Sequence, residues 1–428
     1  MNSTGAKLWI ILGRPTRLPS AIIAAQTLAD RFPGGVHLLR DESRWWERAH
    51  WQQFAHHFAG VHAFARVRTC RGIVDLPRLY RQTAGRKNAA AALPIDPQKD
   101  VLLSLASVMG LANAAASAHP DVYKILCISK SGYEGLTRTP DRMRFRFTTS
   151  GWLQNRAIEP LAGVERTLHF KPRINPGGDG VRLVRLQKEP KDVYNLIVAM
   201  SNSGRELPEP CDERVIAARF PSLAELSGPS DSMTALSSQP NAAALATGRV
   251  RPTSGQDRHR HVIFFGTPFL LIHNLSPDVY IEHLNRCLDY IRRNYPGRDL
   301  VYRPHPIETE EASRLQLDDF QIENDREAAE LYFLRHFAEI EAVYSVSSTV
   351  SRTALNNGLN AYSLWRCFPF PETAARFFEK TMGDVPPEFN IVDLADAPIA
   401  YQSNRSPDPD ARSFAEALKL AVESRTTN

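Results

Sequence analysis

The apolar residues of this chain fall into short runs separated by stretches of helical period. "LWIIL" (Leu8 to Leu12) is a run of five, enough for a buried strand and too short for the core of a secretory leader. It leads through "GRPTRLPS" into "AIIAAQTLADRF", whose spacing predicts a helix started by Ser20. "GVHLL" reads as a strand and "DVLLSLA" as another, followed by the Ala-rich "SVMGLANAAASAHP" and a further buried strand, "VYKILCIS". Strand, loop and helix in repetition, with short connections, predict a parallel α/β sheet.

Between Leu226 and Arg260 the pattern disappears. That segment is rich in Ser, Pro, Ala and Gly and keeps no apolar period, which predicts a linker or mobile loop. The alternation then resumes. "HVIFFGTP" is strand and turn, and Ser276 with Pro277 opens a helix through "PDVYIEHLNRCLDYIRRNY". "DLVYRPHP" is the next strand, "EAAELYFLRHFAEI" a helix, "EAVYSV" a strand, "SSTVSRTALNNG" a helix ending at Gly358, and "NAYSLW" a last strand. A short amphipathic helix near the end places Phe414, Ala417, Leu418 and Val422 on one face. The predicted organisation is a first α/β domain over 1–225, a linker over 226–260, a second α/β domain over 261–400 and a tail helix within 401–428.

Composition adds bounds. At 428 residues the chain exceeds one ordinary core, and 43% hydrophobic with 23% charged residues is the composition of a soluble globular protein. Lys and Arg number 52 against 47 Asp and Glu, a mildly basic balance that suits anionic substrates, phosphates or an anionic membrane surface. No basic helix, zinc spacing or aromatic RNA-binding motif occurs, so nucleic acid is not an expected partner. The five cysteines form no CxxC pair, which argues against a zinc knuckle or disulfide framework, and Cys127 in its apolar run reads as a core residue. No apolar stretch reaches about 18 residues, so a cytoplasmic protein is expected. Gly13 is not followed by GxGxxG, and no HExxH-like spacing occurs, so neither a dinucleotide site nor a metal site is expected.

The candidate chemistry lies at three strand ends of the second half: "FFGTP", "YRPHP" and "YSVSSTVSR". In a parallel sheet these ends share one edge, and open α/β sheets bind ligands there. Pro304 and Pro306 flank His305 and fix its backbone. Ser347, Ser348 and Thr349 stand between a strand and a helix, where backbone N–H groups favour phosphate. Plain helix capping by a serine is the competing reading of that segment. Arg303 and His305 on the neighbouring strand favour phosphate.

These three motifs in this order, between Val262 and Leu364, resemble the C-terminal half of bacterial sialyltransferases and polysialyltransferases and their capsule and lipopolysaccharide relatives. The resemblance implies a GT-B fold, two Rossmann-like parallel-sheet domains facing a central cleft. It also implies a CMP-activated sugar of the sialic acid or Kdo class as donor, a glycan or glycolipid acceptor, and no cofactor or metal. By it, His305, Ser347 and Ser348 hold the CMP phosphate, with Arg303, Pro306 and Thr349 beside them and Gly266 and Thr267 near the nucleotide. The family carries an acidic pair before a glycine whose carboxylate deprotonates the acceptor. The nearest match is "SGYEGL", where Glu134 would be that base, although Tyr133 replaces the first acid. Arg14, Arg17 and Arg144 are candidate acceptor contacts, and a peripheral contact with the inner face of the cell membrane fits the same cations. Two other readings stay open: a CDP-polyol phosphotransferase, with His119 as its second histidine, and a non-catalytic nucleotide- or glycan-binding protein.

Overall fold

The computed structural model describes residues 5–12, 17–42, 51–65, 76–105, 111–129, 165–168, 183–186, 193–201, 214–223, 226, 260–267, 275–305, 308, 313–325, 327–382, 385–400 and 411–425. The chain divides into two compact units, Met1–Phe220 with Pro409–Asn428, and Pro221–Asp408.

The first unit carries strands β1 (Leu8–Leu12), β2 (Val36–Asp41), β3 (Gly60–Phe64), β4 (Val101–Leu105) and β5 (Tyr123–Ser129), an antiparallel pair β6 (Glu165–Leu168) and β7 (Leu183–Leu186), then β8 (Leu196–Ser201) and β9 (Val215–Arg219). Seven of these form one parallel sheet in the order β3-β2-β1-β4-β5-β8-β9. Helices α1 (Leu18–Leu28), α2 (Leu76–Ala91) and α3 (Leu111–Ala118) connect its strands. β1 and β4 are buried at every position, as apolar runs covered on both faces must be. At their amino ends the buried Asp100 carboxylate accepts from Trp9 Nε1 at 2.9 Å and from the Lys7 amide at 2.8 Å.

The helix expected to start at Ser20 starts at Leu18 instead. Pro19 supplies a first-turn residue with preset φ, and Ser20 is buried inside the helix, not capping it. Cys127 is fully buried in β5, and burial pushes its thiol pKa far up.

The second unit contains β10 (His261–Phe265), α4 (Pro277–Asn294), β11 (Asp299–Arg303), β12 (Phe320–Ile322), α5 (Ala329–His336), β13 (Ile340–Ser345), α6 (Thr349–Asn356), β14 (Ala361–Ser363) and α7 (Glu372–Met382). Its parallel sheet runs β12-β11-β10-β13-β14. In α4 the buried Tyr280, Ile281, Leu284, Cys287, Leu288 and Ile291 recur at helical spacing, and Ser276 caps the first turn through the Val279 amide at 3.3 Å. α6 ends as the sequence predicts: Gly358 takes φ +87°, which a side chain rarely tolerates.

In each sheet the first strand lies inside the sheet, third from one edge. The chain steps outward to one edge, returns, and continues on the other side. This is the Rossmann order, and the expected fold class of two Rossmann-like parallel-sheet domains is observed. The closing helix, α8 (Phe414–Glu423), belongs to the first unit. No helix among the described residues is long and apolar enough to cross a membrane.

Candidate functional site

Reversal of strand order opens a sheet at one place, outside the carboxyl ends of the two strands that diverge. In the second unit these are β10 and β13. Phe265 pairs with Arg303 on one side and with Ser345 on the other, so three strand ends finish in register. The Gly266 amide donates to the Arg303 carbonyl at 2.9 Å and carries the ladder one residue further. With strands about 4.8 Å apart, the ends of β11 and β13 lie about 10 Å from each other across Gly266 and Thr267. That span suits a phosphoribosyl group.

On the β13 side, Ser348 is the N-cap of α6, its hydroxyl accepting from the Val350 amide at 3.2 Å. Both readings of "SSTV" therefore meet here: the serine caps the helix, and the capped N-terminus points its amides and positive dipole end at the switch point. Ser347 is half-buried and Thr349 exposed at the same turn. Beneath them lie hydroxyls that motif reading passed over. Ser345 and Ser351 are fully buried and hydrogen-bonded at 2.7 Å, and Ser345 also accepts from the Ser348 amide at 3.2 Å. Ser363 donates to the Val346 carbonyl at 2.8 Å. The buried serines hold the turn on which Ser347 and Ser348 sit.

On the β11 side the two residues singled out from "YRPHP" part company. His305 is half-buried beyond the strand end, and burial holds its imidazole below the usual histidine range. Arg303 turns into the domain with a side chain 4% exposed. Its Nε meets Glu323 at 3.5 Å, a terminal nitrogen donates to the Asp325 carbonyl at 3.2 Å, and the guanidinium lies 4.2 Å from the centre of the Tyr332 ring. The structure brings His305, Gly266, Thr267, Ser347, Ser348 and Thr349 to one edge and gives Arg303 a place in the interior.

A carboxyl that motif reading missed completes the edge. Glu308 follows His305 by three residues and accepts from the Tyr302 hydroxyl at 2.7 Å and from the His305 amide at 3.2 Å. Burial pushes its pKa up to about 7, against the lowering effect of those two hydrogen bonds. Gly266 makes room for it: a Cβ there would lie 2.6 and 2.9 Å from the two carboxyl oxygens and 2.8 Å from the Tyr302 hydroxyl. Thr267 is buried with its hydroxyl toward that of Tyr280, whose pKa burial also drives up. The available signal was the glutamate three residues past a Pro-bracketed histidine, but spacing alone does not say where its carboxyl points.

In the first unit, Arg17 occupies the N-cap of α1 beyond β1 and acts electrostatically on Cys127 in β5. Glu134, Arg14, Arg144 and Pro306 lie outside the described residues. His119 precedes β5 at the amino edge of the sheet, where its Nε2 meets the Ala90 carbonyl at 2.8 Å. Among the described residues no group of three or more His, Cys, Asp or Glu side chains could hold a metal ion.

No family model matches the chain, and no curated protein matches it. Solved structures do show similarity of shape. UDP-GlcNAc 2-epimerase from Methanocaldococcus jannaschii is 11% identical with a TM-score of 0.49, over 99% of this chain and 100% of that one. The UDP-GlcNAc-bound 2-epimerase from Neisseria meningitidis is 12% identical with a TM-score of 0.44, over 99% and 100%. An α/β-galactoside α-2,3-sialyltransferase from Photobacterium phosphoreum is 10% identical with a TM-score of 0.44, over 90% and 98%. At these identities and scores they bear on neither ligand nor reaction, which rest on the residues of this chain.

Proposed function

We propose that the chain is a glycosyltransferase that takes a sugar from a CMP-activated donor of the sialic acid or Kdo class and passes it to a glycan or glycolipid acceptor. The observation that carries this is the switch-point edge of the second unit, where a capped helix N-terminus and a Pro-bracketed histidine face each other across Gly266 and Thr267. One helix terminus and one imidazole suit a single phosphate, as in a CMP-sugar. The nearby cation that would serve a diphosphate, Arg303, is committed to Glu323 and Tyr332 in the interior.

In this reaction the bond from the anomeric carbon to the phosphate oxygen breaks, and its electron pair leaves with CMP. The phosphate gains one negative charge as it goes. His305, held below the usual histidine range, is neutral at pH 7 and can donate one N–H. As charge builds, that N–H stays on the ring and its hydrogen bond to the departing phosphate oxygen strengthens, while the α6 amides supply fixed positive potential. The acceptor hydroxyl loses its proton to a base, for which Glu134 is the candidate. The cations expected from the sequence to meet the acceptor suit an anionic glycan or a headgroup at the membrane face. A CDP-polyol phosphotransferase would want its second histidine at the carboxyl edge, and His119 is tied at the amino edge.

The test is thermal unfolding of the full chain with CMP, CDP, UDP and GDP. CMP is expected to raise the midpoint selectively, by the several degrees that about 2.7 kcal/mol of ligand stabilisation gives at a hundredfold excess over Kd. His305→Ala should abolish the rise. An equal response to all four nucleotides, or to none, sinks the donor assignment. CMP-sialic acid and CMP-Kdo hydrolysis then separate the donor sugars.

A further inference from the structure

Glu308 is tied into its surroundings from three sides. Its own amide donates to the His305 carbonyl at 2.8 Å, while the His305 amide donates back to one carboxyl oxygen at 3.2 Å. The other oxygen takes the Tyr302 hydroxyl at 2.7 Å. Tyr302 is itself fixed in the sheet, 1% exposed and stacked on Phe264 with ring centres 5.8 Å apart. The floor is Gly266, whose missing side chain leaves the space that the carboxyl fills. Pro304 stiffens the chain on the strand side of His305 but leaves the histidine amide in need of a partner. Glu308 supplies that partner and closes a ring from strand end to histidine and back.

We propose that Glu308 is the positioning residue of this site: it fixes His305 for an anionic ligand by holding the His305 amide with one oxygen and the Tyr302 hydroxyl with the other. The proposal rests on the crevice being a phosphate site. It adds a consequence that the helix terminus and the histidine alone do not have. The carboxyl changes charge near pH 7. Ionised, it accepts both hydrogen bonds. Protonated, it keeps the His305 amide on its carbonyl oxygen, can turn its O–H to the Tyr302 hydroxyl, and no longer repels a phosphate beside it. Among the described residues, the titratable side chains that act on it are Tyr302 and Tyr280. Burial pushes both phenols far up, so Glu308 alone of this group changes charge around neutrality. Anion binding is therefore coupled to proton uptake by Glu308, and affinity falls as pH rises through about 7.

Two measurements on the full chain test this. With 15N-histidine labelling, the His305 amide is assigned by its loss in His305→Gln and followed with pH in the absence of nucleotide. Its shift is expected to titrate with a midpoint near 7 in the natural protein and to stay flat through that region in Glu308→Gln. CMP affinity is then measured from roughly pH 6 to pH 8. Glu308→Gln can keep both contacts, because the Tyr302 hydroxyl can turn to accept from the amide, so binding should persist and lose its pH dependence around 7. Glu308→Ala should weaken binding about tenfold at pH 7, the loss of hydrogen bonds to a charged group, with the fold retained. A His305 amide that does not titrate near 7, or that titrates equally in Glu308→Gln, overturns the proposal. So does unchanged CMP affinity in Glu308→Ala. An intact titration with no CMP binding instead removes the donor reading and leaves the tie between Glu308 and His305 supported.

Discussion

Arg303 and His305 sit two positions apart in one strand end and are separated by burial. An arginine can reach inward from such a place because its flat guanidinium stacks on Tyr332 while its edge meets Glu323 and two carbonyls. Removing it leaves Glu323 and those carbonyls short of a partner. Arg303→Ala is expected to cost about 3 kcal/mol of stability, from the lost packing of a buried guanidinium on Tyr332 and a half-buried ion pair, measured as a shift in the urea midpoint. CMP affinity of the protein that remains folded should change little. A large loss of affinity at unchanged stability would put Arg303 back at the phosphate. Glu308 shows the opposite displacement: a residue without a motif that reaches the edge because Gly266 leaves it room.

At the scale of elements, the turn from β13 into α6 is the best-determined part of the site. A Ser-Ser motif marks it, but its shape depends on Ser345 and Ser351 underneath. Ser345→Ala leaves the Ser351 hydroxyl and the Ser348 amide without their shared partner, and about 1–3 kcal/mol is expected for a group so stranded. Ser348→Ala should cost about 1 kcal/mol as a lost cap. Both should weaken CMP binding, and Ser345→Ala should do so although its side chain is fully buried and touches no ligand. Calorimetric titration of the two variants checks this order. If Ser345→Ala destabilises without affecting affinity, the turn does not present the phosphate. The alternation of runs and helical stretches was legible in sequence for most elements of the second unit, since buried parallel strands must be apolar throughout, but it did not mark β3, α2 or β6 to β9 of the first. Short β12 was not legible: Phe320–Ile322 has two exposed residues of three and no pattern to distinguish it from a loop.

For the molecule as a whole, α8 decides which residues form a unit. The amphipathic face predicted from the sequence is realised with Ala421 in place of Val422 beside the buried Phe414, Ala417 and Leu418. A capping box of Ser413 and Glu416 starts the helix. Arg31 pairs with Glu423 at 2.7 Å, and the Tyr123 hydroxyl donates to the Ala421 carbonyl at 3.2 Å. Leu418, with no exposed surface, is expected to cost about 3 kcal/mol as Leu418→Ala. The loss should appear in the unfolding of the first unit, while the proposed stabilisation by CMP, which rests on residues of the second, should persist. Parallel loss of both would show that the units do not hold their structure independently.

The sequence by itself determined that the chain makes two parallel α/β domains and that the ends of three strands in the second carry the candidate chemistry. Both follow from local rules: apolar period sets element type, and prolines, glycines and capping serines set where elements stop. Only the tertiary structure decided which side chains at those ends face the crevice. Arg303 went inside, where desolvation of its charge is repaid by Glu323 and Tyr332, and Glu308 came to the edge. The direction of a side chain depends on what the neighbouring strand leaves open, and here that neighbour is Gly266, 42 positions before the glutamate it accommodates.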